Sequence, residues 1–376
     1  MLRRNYFYID RFDRLSLCKQ KLNDEYLPDT VIGITAFISA ANAADFFRKR
    51  KQIQSFFHEH FGYLPVSVVS QAAGKGIALE IWANDACKHL RYKRLHGVNH
   101  TVYDDGTSKA LWIFGASAND IELPFREQVH YAFELVQALL SAEDYSMDDL
   151  VRQWNYIPEI LKTTFENARI YQHYQLFNDI RQYYYGIYKR EAAYPAATGI
   201  GMDCGPVTID LCAIQKTPST RIVGLSNPNQ TSAYNYDQDV LAGSPLQENE
   251  RKKAPLFERA KYVAAAEKGL IFISGTAAIR GESTVGINDI TGQTAVTINN
   301  MENLTSIENL NNHHVSIKKG SCTYFRVYVK DPGDIPRVRE LCAERYPDIP
   351  ALYVKADICR DNLLVEIEGE AETFFQ

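Results

Sequence analysis

The sequence predicts an α+β fold made of two tandem modules, each a mixed β-sheet with helices packed on one face. The main observation is an internal repeat, because residues 110–215 and 270–371 run through the same order of strand, helix, strand, helix and strand. The second observation is the alternation of Leu, Glu, Val and Ile over residues 363–368, which is typical of a β-strand. Repetition of one order of elements indicates duplicated structural units.

The first copy opens with ALWIFGA at residues 110–116, a pattern typical of a buried strand, in which Gly115 marks the end of the strand. The next segment, FREQVHYAFELVQALLS, places Val129, Phe133, Val136 and Leu140 on one stripe, and this spacing predicts a helix. A strand is then predicted for LVRQWNYIP and a second helix for about 162–188. The copy closes on a Pro-led loop and a strand within YPAATGIGMDCGPVTIDLCAIQ.

The second copy repeats these signals with a different sequence. It opens with LIFISGTA, continues with the helical GQTAVTINNMENLTSI and the strand TYFRVYVKDP, and has a second helix predicted for 334–346. It closes on IPALYVKADICRDNLLVEIEGEA. Gly115 lies about as far before Asp210 in the chain as Gly275 lies before Glu366. This similar spacing predicts that Asp210 occupies, in the first copy, the position that Glu366 has in the second.

These signals divide the chain into three parts. Residues 1–215 are predicted to hold the first module with an N-terminal extension, and 255–376 the second module. Residues 1–100 fit either a partial third module or a decorated extension of the first. Residues 216–254 are rich in Pro, Asn, Ser and Gly and lack apolar periodicity, so we expect a linker loop that contributes to a pocket.

Composition and charge favour a soluble cytoplasmic protein that does not bind nucleic acid. The net charge is −5 and no long basic stripe occurs, so we expect no nucleic-acid partner. The seven cysteines are scattered without CxxC spacing, as expected in a reducing compartment. No apolar stretch approaches the length of a membrane span. His58 and His60, and the adjacent His313 and His314, lack a third ligand in register, so we expect no metal site.

The last strand raises a question about its carboxylates. Glu366 and Glu368 share one face of a strand whose other face is apolar, and Cys359 precedes it. Such a face either contacts water or lines a pocket in which an acid acts. The pattern alone does not decide between these for Glu366, and we expect Glu368 to face solvent.

Several motifs resemble a known family. The second module resembles the small RidA/YjgF proteins, whose fold is chorismate-mutase-like, in LIFISGTA, QTAVTINNMENL, YFRVYVKDPGDIPRV and LLVEIEGEA. The chain from about residue 110 onward resembles the chorismatases of the FkbO and hydroxybenzoate-synthase type. The motifs for this closer resemblance, in order, are RQWNYIP, YPAATGIG, NPNQTSAYNY, SGTAAI and ADICRDNLLVEIEGE.

The resemblance implies cofactor-free cleavage of chorismate to pyruvate and a cyclic acid. Glu366 matches the family's acid, which would protonate the methylene carbon of the enolpyruvyl group, so the active site is expected in the second module, residues 255–376. Cys359 matches a cysteine of the members that form a hydroxybenzoate, so 3-hydroxybenzoate is the expected product. A dihydroxycyclohexadienoate, formed by addition of water, and 4-hydroxybenzoate stay open as alternatives.

The other site residues follow from the same motifs. Arg326 and Arg181 are predicted to bind substrate carboxylates, because a guanidinium matches a carboxylate in shape and charge. The remaining predicted substrate-binding residues are Tyr156, Tyr194, Thr198, Gly199, Ser232, Tyr234, Gly275, Thr276, Ala277 and Ala278.

Two other functions stay open at the level of the sequence. RidA-type imine hydrolysis depends on an arginine before the last two strands, but Pro350 and Ala351 stand at this position. A non-catalytic ligand-binding role is also compatible with the scaffold, because fold does not fix function. Both a homotrimer and a monomer with internal pseudo-symmetry fit the tandem repeat.

Overall fold

The computed structural model describes residues 2–27, 30–74, 76–84, 90–104, 108–120, 122–166, 169–190, 193–245, 251–265 and 268–374. These residues form three mixed sheets that are each covered by their own helices, together with two short hairpins. The predicted α+β class with helices packed on the sheets is therefore confirmed. None of the helices in the described ranges is both long and apolar enough to cross a membrane.

The first sheet belongs to residues 2–84 and has the strand order β1-β4-β2-β3. Its parallel strands β2 and β3 are joined by the crossover helix α2, and β4 lies antiparallel between β1 and β2. The elements are β1 (Leu2–Ile9), α1 (Ser16–Glu25), β2 (Val31–Ile38), α2 (Ala43–Phe61), β3 (Val66–Val69) and β4 (Ile77–Asn84).

The second sheet has six strands in the order β5-β6-β7-β12-β8-β11. Strands β8 and β11 are parallel, and the other neighbours are antiparallel. The elements are β5 (Leu90–Leu95), β6 (Val98–Asp104), β7 (Lys109–Ser117), α3 (Phe125–Ala142), β8 (Leu150–Pro158), the hairpin β9 (Thr163–Glu166) and β10 (Arg169–Gln172), α4 (His173–Tyr188), β11 (Ala196–Met202) and β12 (Thr208–Ile214).

The third sheet has the order β13-β14-β15-β20-β18-β19, again with one parallel pair, β18 and β19. The elements are β13 (Thr220–Leu225), β14 (Ala260–Ala265), β15 (Lys268–Ala277), the hairpin β16 (Ile279–Arg280) and β17 (Ser283–Thr284), α5 (Ile290–Thr305), α6 (Ile307–Asn312), β18 (Lys319–Val329), α7 (Ile335–Arg345), β19 (Ala351–Lys355) and β20 (Val365–Phe374). Short 3-10 helices lie at Phe12–Arg14, Met147–Asp149, Ala233–Asn235 and Pro332–Asp334.

The three sheets share one topology. In both six-stranded sheets the last strand in the chain lies between the third and fourth strands, and the parallel pair stands at one edge. The first sheet keeps the last four positions of this order, with β1, β4, β2 and β3 in the places of β15, β20, β18 and β19. The predicted repeat is thus present, and the N-terminal region shares part of its strand order. Below, a module is one sheet with its helices, so the first, second and third modules are those of the first, second and third sheets.

Most predicted elements lie where the sequence places them, with two differences. The segment predicted as one helix over 162–188 contains the hairpin β9–β10 before α4. The predicted linker 216–254 contains β13, an edge strand of the third sheet, although its apolar periodicity is weak. Residues 246–250 of this segment lie outside the described residues.

The repeat also aligns two carboxylates differently from the prediction. Asp210 on β12 lies opposite a bulge that contains Gly115 of β7, and Glu368 on β20 lies opposite the bulge that contains Gly275 of β15. The counterpart of Asp210 is therefore Glu368 and not Glu366. Asp210 is buried and accepts a hydrogen bond from the Gly115 N–H at 2.6 Å, which fits a structural role.

Each sheet packs against its own helices through a separate hydrophobic core, which gives three outer cores. A fourth core forms where the three sheets meet. This central core brings together large side chains from all three sheets. Trp82 comes from the first sheet, Trp154 and Tyr156 from the second, and Tyr324 and Tyr328 from the third. The three modules therefore form one body whose sheets face each other.

Six charged residues lie within this central core. Arg4 of β1 binds Glu370 at 2.7 Å and Glu368 at 3.0 Å. Arg152 of β8 binds the other oxygen of Glu368 at 2.7 Å. The side chains of these residues are at most 3% exposed. The pairs connect strands from all three sheets, so they fix the packing of one module on the next.

Glu80 of β4 completes the network. It accepts hydrogen bonds from Arg4 at 3.0 Å, from the Arg326 Nε at 3.0 Å and from the Tyr324 hydroxyl at 2.9 Å. Arg326 also lies 3.2 Å from Glu368 and donates to the Tyr156 hydroxyl at 2.8 Å. Two predicted substrate-binding residues, Arg326 and Tyr156, are thus held inside the protein by partners of their own.

We predict that Glu80→Gln lowers the free energy of unfolding by about 3–5 kcal/mol, because it leaves two buried guanidinium groups short of a counter-charge. Urea unfolding followed by circular dichroism measures this change. The control is Glu340→Gln, whose ion pair with Arg337 on α7 is exposed, and it should change stability little. Equal stabilities of the two variants would contradict the structural role of the network.

Candidate active site

A cavity of about 610 Å³ lies at the junction of the second and third modules. The second module contributes α4 and β11 to its wall, and the third contributes β15, β20 and the loop before β20. Residues from 236–242 and 255–259 cover one side. Six residues predicted from the sequence line this cavity: Glu366, Cys359, Arg181, Gly199, Gly275 and Ala277. The fold therefore gathers the predicted acid, the cysteine and one predicted arginine from distant parts of the chain.

Glu366 faces the cavity from β20, where it lies opposite Ala277 of β15 and Tyr328 of β18. It is 4% exposed, and its carboxyl accepts no hydrogen bond from the residues that the structure describes. Burial raises the pKa of Glu366 to about 8, and the neighbouring charge of Glu368 adds to this effect. Glu366 is therefore mostly protonated at neutral pH and can act as an acid.

Glu368, two residues further along the strand, is in the opposite state. Burial alone would raise its pKa, but the charges of Arg326, Arg152 and Arg4 outweigh burial and lower the pKa to about 2. Its oxygens also accept hydrogen bonds from the Thr198 hydroxyl at 2.5 Å and the Trp154 indole at 2.8 Å. Glu368 is fully buried, so the expectation that it faces solvent is wrong.

Gly275 is required for the position of the Glu366 carboxyl. A Cβ at Gly275 would lie 2.1 Å from the Glu366 Oε1, which is closer than the two atoms can approach. The Gly275 N–H donates to the Thr198 hydroxyl at 3.1 Å, and this hydroxyl in turn donates to Glu368. The absence of a side chain at this bulge thus lets the acid lie against the backbone of β15.

The second module closes the other side of the acid. Gly199 lies against the ring of Tyr174, where a Cβ would come within 2.9 Å of the ring. Thr198 does not line the cavity itself but positions Glu368 and the Gly275 backbone. The loop that carries Cys359 is attached to β11 by a hydrogen bond from the Gly201 N–H to the Asp357 carbonyl at 2.8 Å.

Cys359 lies beside Glu366 on the cavity wall and is a neutral thiol. Burial, with a smaller contribution from Glu366, raises the pKa of this thiol to about 12. A thiol in this state is a poor nucleophile, because the thiolate is the reactive form. Its position suits an effect on how much water reaches the substrate more than a covalent step.

Three arginines line the cavity, and two of them were missed in the sequence. Arg259 donates to the Thr231 carbonyl at 2.6 Å and to the Tyr236 hydroxyl at 2.7 Å. Arg360 donates to the Glu282 carbonyl at 2.6 Å. Both guanidinium groups lie over the Tyr236 ring, at 5.6 and 5.2 Å from its centre. Arg360 adjoins Cys359 in the ADICRDN motif, which was the available signal, whereas Arg259 ends an irregular segment.

Arg181 is the predicted arginine that the structure does bring to the cavity. It is 3% exposed, and it donates to the Asn178 amide oxygen at 2.7 Å. Burial lowers the pKa of Arg181. Within the described ranges, no carboxylate forms an ion pair with Arg181, Arg259 or Arg360. These three cations are therefore available to an anionic ligand.

The structure does not bring the remaining predicted residues to the cavity wall. Thr276 and Ala278 point away from it, because side chains alternate along β15 and its extension and only Gly275 and Ala277 face the cavity. Tyr194 stacks on Tyr185, and its other neighbour is the tilted ring of Tyr234. The residues without a place on the wall are Arg326, Tyr156, Tyr194, Thr198, Ser232, Tyr234, Thr276 and Ala278.

The described part of the chain holds no group of three or more His, Cys, Asp and Glu side chains placed to bind a metal ion. Pro350 and Ala351, where imine hydrolases of the RidA type have their arginine, line a separate groove between β1 and α7. The large cavity therefore offers a protonated carboxyl, a neutral thiol and several guanidinium groups as its chemistry.

Comparison with known proteins agrees with the sequence motifs. Residues 81–213 match the family model described as chorismatase FkbO/Hyg5-like, N-terminal. The chain is 33% identical over 239 residues to a 3-hydroxybenzoate synthase of Streptomyces hygroscopicus. The aligned region covers 60% of this chain and 64% of the relative. It is also 33% identical over 225 residues to a chorismatase of the same organism, in an alignment that covers 58% of this chain and 60% of that relative.

The matched region thus spans less than two thirds of the length of these curated relatives. The fold is similar to that of a chorismatase crystal structure along almost the whole chain, with a TM-score of 0.72 and 23% identity over 98% of both chains. These findings confirm the resemblance to the chorismatases and the predicted fold.

The unfolding free energy should fall as pH rises through the titration of Glu366. The folded protein holds this proton up to about pH 8, whereas an unfolded chain, in which the glutamate has its ordinary pKa of 4.5, loses it earlier. Between these values the folded state binds more protons than the unfolded state, so higher pH favours unfolding. Glu366→Gln should therefore make the unfolding free energy depend less steeply on pH. Urea unfolding at a series of pH values between about 4.5 and 8 measures this dependence.

Other buried carboxyls also contribute to the fall of unfolding free energy with pH, independently of Glu366. Burial raises the pKa of Asp210 and of Glu370 to about 7. The exposed Glu340→Gln serves as the control and should keep the full slope. An identical pH dependence in the wild type and in Glu366→Gln would show that Glu366 is not protonated in the folded state.

Proposed function

We propose that this protein is a chorismatase that cleaves chorismate to pyruvate and a cyclic acid without a cofactor. The observation that carries the proposal is Glu366, a protonated carboxyl in a cavity whose wall holds three guanidinium groups without carboxylate partners among the described residues. The curated relatives named 3-hydroxybenzoate synthase and chorismatase support the same substrate.

The cavity suits a substrate with two carboxylates. Chorismate carries one carboxylate on its ring and one on its enolpyruvyl group. Arg259 and Arg360 lie together over Tyr236 on one side, and Arg181 approaches from α4 on another. Two positions of positive charge can therefore hold the two carboxylates, and charge-assisted hydrogen bonds from guanidinium groups fix orientation as well as affinity.

Glu366 provides the step that is otherwise slow. Its proton moves to the methylene carbon of the enolpyruvyl ether, and the adjacent carbon becomes an oxocarbenium ion stabilised by the ether oxygen. An acid with a pKa near the working pH is suited to this transfer, because it is both protonated and able to release its proton. Glu366 then carries a negative charge, and the positive charges of Arg152 and Arg259 favour that state.

The fate of the ring decides the product, and we propose 3-hydroxybenzoate. In this route the oxygen of the neighbouring ring hydroxyl bonds to the ring carbon that carries the ether as the bond from that carbon to the ether oxygen breaks, so pyruvate leaves and the hydroxyl proton passes to the Glu366 carboxylate. The epoxide formed in this way opens by breaking its bond to the other ring carbon, and loss of the proton from the carbon that keeps the oxygen gives the aromatic acid, so no water is consumed. If water instead attacks, the product is a dihydroxycyclohexadienoate. The neutral, half-buried thiol of Cys359 beside Glu366 supports the first route, because it occupies space that a water molecule would need.

RidA-type imine hydrolysis has weaker support from the same geometry. The position of its arginine is occupied by Pro350 and Ala351, and both line a different groove from Glu366. A non-catalytic role has weaker support, because it does not account for a carboxyl with a raised pKa on the wall of the cavity.

We predict that Glu366→Gln lowers the rate of pyruvate release from chorismate by about 10²–10⁴-fold, since the amide cannot donate the proton. Pyruvate is measured with lactate dehydrogenase, and circular dichroism checks the fold. The control is Glu372→Gln on the same strand, which lies outside the cavity and should keep wild-type activity. Pyruvate release by Glu366→Gln at the wild-type rate would refute the proposed acid.

We predict that Cys359→Ala shifts the product from 3-hydroxybenzoate toward the dihydroxycyclohexadienoate, because the smaller side chain admits water. Liquid chromatography with mass spectrometry in ¹⁸O-labelled water measures both the ratio and the incorporated oxygen. Cys342→Ala, at a buried cysteine of α7 outside the cavity, is the matched control. An unchanged ratio in Cys359→Ala would remove the cysteine from product control.

A further inference from the structure

Buried arginines fall into two groups in this protein. The described residues include six arginines that are buried: Arg4, Arg50, Arg152, Arg181, Arg259 and Arg326. Three of them form ion pairs with glutamates in the central core. The other three have no carboxylate partner in the described ranges, and each lines a cavity. Two of these belong to the candidate active site, and the third is Arg50.

Arg50 lies on α2 and is 6% exposed. Its guanidinium donates to the Ser117 hydroxyl at 3.0 Å, to the Ala118 carbonyl at 3.3 Å and to the Asn119 amide oxygen. All three acceptors are neutral, so the buried positive charge has no counter-ion among the described residues. Burial lowers the pKa of Arg50 to about 10. An anion beside Arg50 would relieve the cost of burying this charge.

A cavity of about 180 Å³ lies beside Arg50, at the junction of the first and second modules. Three further basic side chains line it: Arg94 of β5, His96 of the turn that follows and His58 of α2. Neither aspartate nor glutamate is among its lining residues within the described chain. Leu64, Val66 and Phe114 form an apolar wall.

This cavity corresponds in topology to the candidate active site. Helices α2 and α4 are the crossover helices between the parallel strands of their modules, and they carry Arg50 and Arg181 respectively. The opposite wall contains Gly115 of β7 in one cavity and Gly275 of β15 in the other, and both glycines lie at equivalent bulges. The acid is the difference, because Thr208 of β12 occupies the position that corresponds to Glu366, and Thr208 does not line the smaller cavity.

We propose that the cavity between α2, β5, β6 and β7 is a second binding site, for a small oxyanion such as a short carboxylate or inorganic phosphate. Arg50 forms its buried floor, Arg94 and His96 stand at its mouth, and the apolar wall accommodates the carbon end of a short carboxylate. Because the site lacks an acid, it binds an anion without transforming it. This inference does not depend on the identity of the reaction at Glu366.

The test uses the full chain with ¹⁵N-labelled histidine and follows the ring signals of His58 and His96 by NMR. Acetate, pyruvate and inorganic phosphate are titrated separately, and at least one of them should shift these signals in a saturable manner. Arg50→Gln should abolish the saturable shift. Arg94→Glu, at an exposed residue whose change spares the buried core, should raise the dissociation constant by about tenfold or more, because it reverses one charge at the mouth.

The matched control is Arg91→Glu, the same charge reversal at another exposed residue of β5 that does not line the cavity. It should bind the anion as the wild type does. Equal weakening in Arg94→Glu and Arg91→Glu, or the lack of a saturable shift with all three anions, would overturn the proposal. Neither readout involves chorismate, so the result is independent of the test of Glu366.

Discussion

The opposite charge states of Glu366 and Glu368 are the constraint on which the rest of the site depends. The two carboxyls lie on the same face of one strand, and both are buried. Guanidinium groups from all three sheets hold Glu368 ionised, and its charge helps to keep Glu366 protonated. Environments that push two titratable groups apart in this way assign one as an acid and the other as a fixed charge.

The three-module architecture supplies these environments. The sheets face a common core, so that Arg4, Arg152 and Arg326 can reach the same carboxylate from different modules. Cavities form at the junctions between modules, where a crossover helix of one faces a bulged strand of the next. Glu366 at one junction gives that cavity a proton donor, whereas the equivalent cavity beside Arg50 has positive charge without an acid.

Local patterns were sufficient to predict much of the fold and part of the site. Helices α3 and α5 followed from their apolar stripes, and the strand of Glu366 followed from its alternation. The burial of Glu368 could not be predicted, because its partner Arg4 is 364 positions away in the chain. For the same reason Arg326 was predicted as a substrate ligand, although Glu80 of another module already binds it. Arg259 was missed because it follows an irregular segment without a motif.

The most direct test of this account is the ionisation of Glu366 in the folded protein. Infrared difference spectra between the wild type and Glu366→Gln isolate the carbonyl stretch of this one protonated carboxyl across a pH series. The account predicts that the band is present at neutral pH and disappears with a midpoint near pH 8. A band that is already lost at about pH 5, as for an ordinary glutamate, would contradict it.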